Sequence, residues 1–154
     1  MKGLYDVRQI AHFIVNYSNK SGKPISNLQL QKLLYFLWIE YYKMTKQYLF
    51  ADEFSAWKFG PVIPEVYYEF CAYGGLPITE FFDVELKQAQ SKNNDEESII
   101  KFVDKYSAAN PFDLVSESHK QGHSWDLVFN KRGKGTGNRT PISFELIIQK
   151  ECLA

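Results

Sequence analysis

Apolar residues recur through the first third of the chain at helical spacing. Val7, Ile10, Ala11, Ile14 and Val15 follow the 3.6-residue period and predict a helix over 6–19. Asp6 stands at its start, with Gln9 three residues on as a capping-box partner. NKSGKP interrupts the pattern as a connector. Ser26 followed by Gln29 repeats the capping signal and opens a helix from 27 to about 45. On that helix Leu30, Leu33, Leu34, Leu37, Tyr41 and Met44 share one face, while Tyr35, Trp38, Ile39 and Tyr42 cover most of the other. Gln29, Lys32, Glu40 and Lys43 are left as a narrow polar strip. A surface helix needs an apolar stripe of only about 100°. The excess predicts the central helix of the domain, with a second face offered to a partner as the alternative.

The pattern then changes. LFADEFSAWKFGPV predicts a short extended segment or small hairpin near residues 49–62. Pro61 fixes its own φ and disfavours helix at Gly60, so Trp57 to Val62 should be extended. Pro64 suits the first turn of a helix and Glu65 its positive dipole end, giving a helix over 64–73 that stops at Gly74-Gly75. A polar loop closes residues 78–97. Helices follow over about 95–107 and from Asn110-Pro111 to near Gly122, and SWDLVFN adds one or two turns. NKRGKGTGNRT is a Gly-rich loop, after which Pro141 opens a last helix to about Lys150. No repeat or domain boundary interrupts the chain. The sequence predicts a mainly α, compact, single-domain helical bundle over 1–154.

Charge and length exclude some functions. The chain has 154 residues with 18 positive and 18 negative side chains. A balanced charge argues against a broad nucleic-acid footprint, which needs excess Lys and Arg. No apolar run approaches a membrane span and the N-terminus lacks a signal-peptide core, so a cytoplasmic protein with no membrane partner is expected. Cys71 and Cys152 form no metal or redox spacing. The neutral total hides two patches. Residues 80–97 carry six acids against two lysines, and residues 130–140 carry Lys131, Arg132, Lys134 and Arg139 with no acid. These read as solvated loops, or as patches that steer a charged partner.

Candidate chemistry is sparse. GKGTGNRT shares only its glycines with a phosphate-binding loop, because it lacks the Gly-Lys-Ser/Thr ending. His119, His123 and Asp126 have metal-ligand spacing on paper, but Gly122 should break the helix between the histidines. The bland alternative has His119 hydrogen-bonding at a helix end while Trp125 fills core. The pairs Glu65/Glu69 and Asp113/Glu117 lie one turn apart, with nothing nearby in sequence to raise a pKa. Neither cysteine has a neighbouring histidine to activate it. The residues give little support to an enzyme.

Three stretches together resemble one family: ISNLQLQKLLYFLWIEYY (25–42), FSAWKFGPVIPEVYYEFCAYG (54–74) and SESHKQGHSWDLV (116–128). Their order and spacing are similar to the Panacea domain of SocA-like, phage-associated antitoxins. The motif residues in this chain are Leu30, Gln31, Lys32, Leu33, Leu34 and Tyr35, then Trp57, Gly60, Pro61, Pro64 and Tyr67, then His119 and Trp125. The resemblance implies an antitoxin that neutralises a cognate protein toxin by direct contact, in some members as an adaptor handing the toxin to a protease. It implies no cofactor and no catalytic residue. It departs in the linker over 80–97 and at His123, where a small or polar residue is expected. The competing readings are a phage or prophage regulatory interaction protein without a cognate toxin and, more distantly, a small metal-dependent hydrolase. A neutralising surface needs exposed aromatics, and seven aromatic residues lie between Tyr35 and Phe50. Tyr42, Tyr48 and Trp57 are the candidates for exposure, with Lys58 supplying a polar rim.

Overall fold

The computed structural model describes residues 2–86, 94–107, 110–132 and 138–153. Its elements run α1 (Val7–Lys20), α2 (Asn27–Thr45), β1 (Phe54–Trp57), β2 (Gly60–Val62), α3 (Pro64–Phe70), α4 (Asp95–Ser107), α5 (Pro111–Ser118), α6 (Ser124–Asp126), β3 (Thr140–Ile142) and α7 (Phe144–Ile147). A 3-10 turn, Cys71–Tyr73, follows α3, and π-helical segments Leu127–Arg132 and Ile148–Cys152 extend α6 and α7. The fold is mainly α with one small sheet.

The central-helix expectation holds. The predicted Ser26–Gln29 capping box forms at the start of α2. Leu30, Leu33, Leu34, Tyr35, Leu37, Trp38, Ile39 and Tyr41 are all buried, so α2 is covered on nearly every side. Two of its positions depart from the amphipathic reading. Lys32, assigned to the polar strip, is 1% exposed, because the sheet covers that flank of the helix. Met44, assigned to the apolar face, is 64% exposed in the last turn. The left-handed Lys46 (φ 58°) ends the helix just beyond it.

At the start of α1, Asp6 accepts from the Arg8 amide at 2.8 Å, but the predicted box with Gln9 does not form. Gln9 instead donates to the Glu85 carbonyl, because the segment before α4 runs back across α1. Asn16 donates to the Phe82 carbonyl at 2.7 Å and accepts from its amide at 2.8 Å, and Asn19 donates to the Glu80 carbonyl. These amides supply the backbone partners that an irregular segment lacks.

The expected hairpin is β1–β2, with Ser55 opposite Val62 and Trp57 opposite Gly60. A third strand was not foreseen. β3 pairs antiparallel with the other edge of β1, setting Phe54 opposite Ile142 and Ser55 opposite Pro141. Pro141 therefore does not open a helix. It sits in an edge strand, where a missing N–H is tolerated, and Ser143 caps α7 by accepting from the Leu146 amide at 3.2 Å. The helix at Pro64 begins as predicted but tightens into its 3-10 turn at Cys71. α5 stops at Ser118, short of Gly122, which with φ +82° belongs to the turn leading into α6. The helix over 95–107 is α4. Residues 87–93 of the acidic linker and 133–137 of the GKGTGNRT loop lie outside the described residues.

Among the described residues no helix is long and apolar enough to cross a membrane. The core holds Trp38, Tyr41, Phe50, Phe54 and Phe70, and it also encloses Asp95 at the start of α4. Asp95 accepts from the hydroxyls of Tyr5 at 2.7 Å and Tyr41 at 3.1 Å. Burial and this carboxylate push the Tyr5 hydroxyl pKa well up, so it remains a donor.

Candidate functional site

The motif segments meet where the β1–β2 hairpin lies on α2. Three α2 side chains bind the backbone of the GPVIP stretch and of α3. Gln31 accepts from the Ile63 amide at 2.9 Å and donates to Asn27 at 3.1 Å. Asn27 in turn donates to the Tyr67 carbonyl at 3.0 Å. The Lys32 Nζ donates to the Pro61 carbonyl at 3.0 Å. Burial brings the Lys32 amine down to about 7, and no carboxylate offsets it.

Gly60 closes over this amine with φ +114°. A Cβ there would lie 2.6 Å from Lys32 Nζ and 2.8 Å from the Ser118 hydroxyl. Both the dihedral and the space demand glycine. Pro61 fills an edge strand and Pro64 starts α3. Leu30, Leu33 and Leu34 serve the core.

The third motif segment packs from the far side. His119 lies flat on Trp125, with ring centroids 3.8 Å apart. Trp125 Nε1 donates to the Trp57 carbonyl at 2.7 Å and so ties α6 to β1. Burial, and then the Lys32 charge, hold His119 below the usual imidazole range, against a pull from the Phe59 backbone. Among the described residues the buried Nε2 of His119 and Nε1 of Trp57 have no hydrogen-bond partner.

Above this base is an exposed face. Trp57 is half-buried, touching Tyr67 at 4.8 Å between ring centroids, and the Arg139 guanidinium lies 4.6 Å above its ring. Arg139 also donates to the Tyr68 hydroxyl at 2.7 Å. Tyr68 (52% exposed) stands in solvent on this face, and at the hairpin turn Phe59 (60% exposed) stands beside Lys58. Phe59 and Tyr68 escaped the sequence reading, and Arg139 entered it only as one charge of the basic stretch at 130–140; the fold sets Tyr68 and Arg139 against Trp57.

The other two aromatic candidates lie elsewhere. Tyr42 stacks on Trp38 and Tyr48 meets Phe144 at 4.9 Å, where the end of α2 faces α7. Both are half-buried rather than exposed. No ring contact among the described residues joins them to Trp57.

The possible metal ligands also diverge. His119 faces Trp125, Asp126 accepts from the Gly122 amide and Asn130, and His123 turns toward Glu151 at 3.5 Å. No group of three or more His, Cys, Asp or Glu residues that could hold a metal occurs among the described residues. Glu69 is engaged by Arg8 at 2.9 Å and His12 at 2.6 Å, so the Glu65/Glu69 pair is partly an ion-pair network. Glu117 faces Lys120 at 3.8 Å.

A second polar cluster was not visible in the sequence. Ser124 donates to Glu151 Oε1 through both its amide (2.9 Å) and its hydroxyl (3.1 Å), and Tyr35 reaches Ser124 at 2.8 Å. Tyr35 and Glu151 border a cavity of about 310 Å³ between α2, α5 and the C-terminal π-helical segment.

The family described as antitoxin SocA-like, Panacea domain, matches residues 30–126. That span covers the α2 motif, the hairpin and the His119–Trp125 stack. Antitoxin SocA of Caulobacter vibrioides (strain NA1000 / CB15N) is 33% identical over 147 residues, which cover 86% of this chain and 74% of that protein. No solved structure matches the chain.

Proposed function

The chain belongs to the SocA-like antitoxin family built on the Panacea domain, and we propose that it neutralises a cognate protein toxin by direct contact. Binding, not catalysis, is its work in this reading. The observation that carries the placement is the outer face of the hairpin: Trp57, Tyr68 and Arg139 form one connected cluster, and Lys58 and Phe59 stand exposed at the adjoining turn. Trp, Tyr and Arg are the residue types that dominate interface energy, above all when packed and pre-organised. The α2 side chains and the Trp125 indole hold the backbone beneath this face, so little order has to be gained on binding. Tyr42 and Tyr48 serve packing against Trp38 and Phe144.

The test is co-expression with the protein encoded by a neighbouring reading frame. Trp57→Ala and Phe59→Ala should lose rescue while melting close to the parent temperature. Rescue at the parental level by both folded variants would reject this surface. Toxin abundance in the same cells separates two modes of action. Simple blocking leaves the toxin abundant, whereas delivery to a protease depletes it. If no neighbouring frame is toxic, a regulatory interaction role replaces the antitoxin reading.

A further inference from the structure

Arg139 is exposed, yet both its backbone and its side chain are fixed. Its φ of 67° lies in the left-handed region, where side chains other than asparagine and aspartate are disfavoured. Gly137 and Asn138, residue types that adopt this conformation readily, stand just before it, but the left-handed position holds the arginine. The sheet holds it there, because the Arg139 amide donates to the Ala56 carbonyl at 2.6 Å. The side chain is laid over Trp57, with the guanidinium carbon 4.6 Å from the ring centroid. One N–H group, on Nη1, donates to the Tyr68 hydroxyl at 2.7 Å. A disfavoured backbone of this kind is retained where a side chain is needed in one place.

This charge has no counterpart within the fold. Among the described residues no carboxylate lies within ion-pairing distance of Arg139, or of Lys58 at the adjoining turn. The acids of α3 are drawn toward α1, where Glu65 and Glu69 lie against Arg8, and Glu69 also against His12. Asp52 and Glu53 precede β1, at the end away from Trp57. The remaining N–H groups of the guanidinium match a carboxylate in a planar fork. Stacking on Trp57 has already removed freedom that binding would otherwise have to take away. A phosphate offers similar oxygens. A nucleic acid, however, is held by many cations at once, and the chain carries 18 positive residues against 18 negative ones.

We infer that this face takes an acidic partner surface, with one Asp or Glu side chain of the toxin seated on the Arg139 guanidinium beside Trp57 and Tyr68. The inference rests on the toxin-binding reading above and adds the chemistry of the group that is bound.

The protein encoded by the neighbouring reading frame can be titrated into the full chain at low and at high salt. Arg139→Gln should weaken binding by about tenfold or more and flatten the salt dependence. Arg139→Lys should recover only part of the loss, because an ammonium lacks the fork. Arg139→Asn separates binding from support. Asparagine accepts the left-handed backbone, so this variant should unfold at a urea midpoint close to the parent's while losing affinity. A much lower midpoint would mark Arg139 as a packing residue and overturn the proposal. In co-expression, Arg139→Glu should abolish rescue. Changing the toxin's exposed Asp and Glu residues singly to Arg should restore it for one of the variants that stay toxic. Restoration by none would overturn the proposal. Loss of binding in Trp57→Ala but not in Arg139→Gln would reject the carboxylate and leave the face standing. Parental binding by both would reject the face itself, and no binding by the parent would reject both readings. A single-stranded oligonucleotide bound by the parent and not by Arg139→Gln would assign the guanidinium to phosphate instead.

Discussion

Replacing Lys32 with methionine isolates the consequence of one buried amine. In the folded chain the amine titrates at about 7, against 10.5 when exposed. At about 1.4 kcal/mol per pH unit that difference amounts to about 5 kcal/mol. Below pH 7 both folded and unfolded chains carry the proton, and the folded state bears the whole penalty. Between pH 7 and 10.5 the folded chain gives up its proton while the unfolded chain keeps it, so stability climbs with pH. From pH 6 to 9 the gain should be about 3 kcal/mol. His119, the nearest other titrating group, is pushed below 6.5 and stays neutral over most of that window. Lys32→Met keeps the length of the side chain and removes the titration, at the expense of the bond to the Pro61 carbonyl, worth about 1–3 kcal/mol. Urea unfolding of both proteins at steps from pH 6 to 9, followed by tryptophan fluorescence, gives the comparison. The parent should gain on the variant by about 3 kcal/mol across the series, because other titrating groups cancel in the difference. Parallel stability curves would show that Lys32 does not titrate there and that its burial is relieved by a partner or by water.

Gly60→Ala should lower stability by about 2–4 kcal/mol, since its φ is unfavourable and its Cβ meets Lys32 and Ser118; an unchanged urea midpoint would contradict the close approach. Leu37→Ala, at a position 3% exposed, should cost about 2–5 kcal/mol in chemical denaturation. Asp95→Ala removes the acceptor for Tyr5 and Tyr41 and should cost about 3 kcal/mol, with part recovered by adding Tyr5→Phe in a double-mutant cycle. His123→Ala should leave toxin rescue at the parental level, because His123 faces Glu151 and the cavity, away from the hairpin surface; lost rescue with an unchanged melt would bring the second cluster into the interface.

Local pattern carried far where local physics decides. Periodicity and capping placed α1 and α2 to within a residue, because their apolar faces and start signals lie within each segment. Lys32 was misread for the opposite reason. Its covering partner, the Pro61 carbonyl, is remote in sequence, and helical period alone puts a lysine in solvent. Pro141 was equally ambiguous: a proline before Ser-x-x suits both a helix start and an edge strand, and only pairing with β1 decides. The motif residues were legible as a set, but their convergence on one hairpin was not. Glu151 gave no signal, and Arg139 was legible only as one charge of the basic stretch at 130–140, since the partners of both lie on other elements.

β3 reaches β1 only after every element between them has been made, and this imposes an order of assembly. The β1–β2 hairpin closes through neighbours in sequence and can form early. Phe54 and Ile142 must close nearly the full loop of the domain before they pair. Arg139 arrives on that same late strand, so the guanidinium above Trp57 is the last piece of the exposed face to be set. A chain still emerging from the ribosome can therefore present the aromatic half of the surface without its cation. Recognition should switch on once β3 has paired and not build up gradually. Pulse-labelled hydrogen exchange during refolding should show the β1–β2 amides protected before those shared with β3, and simultaneous protection would argue against this sequence of events.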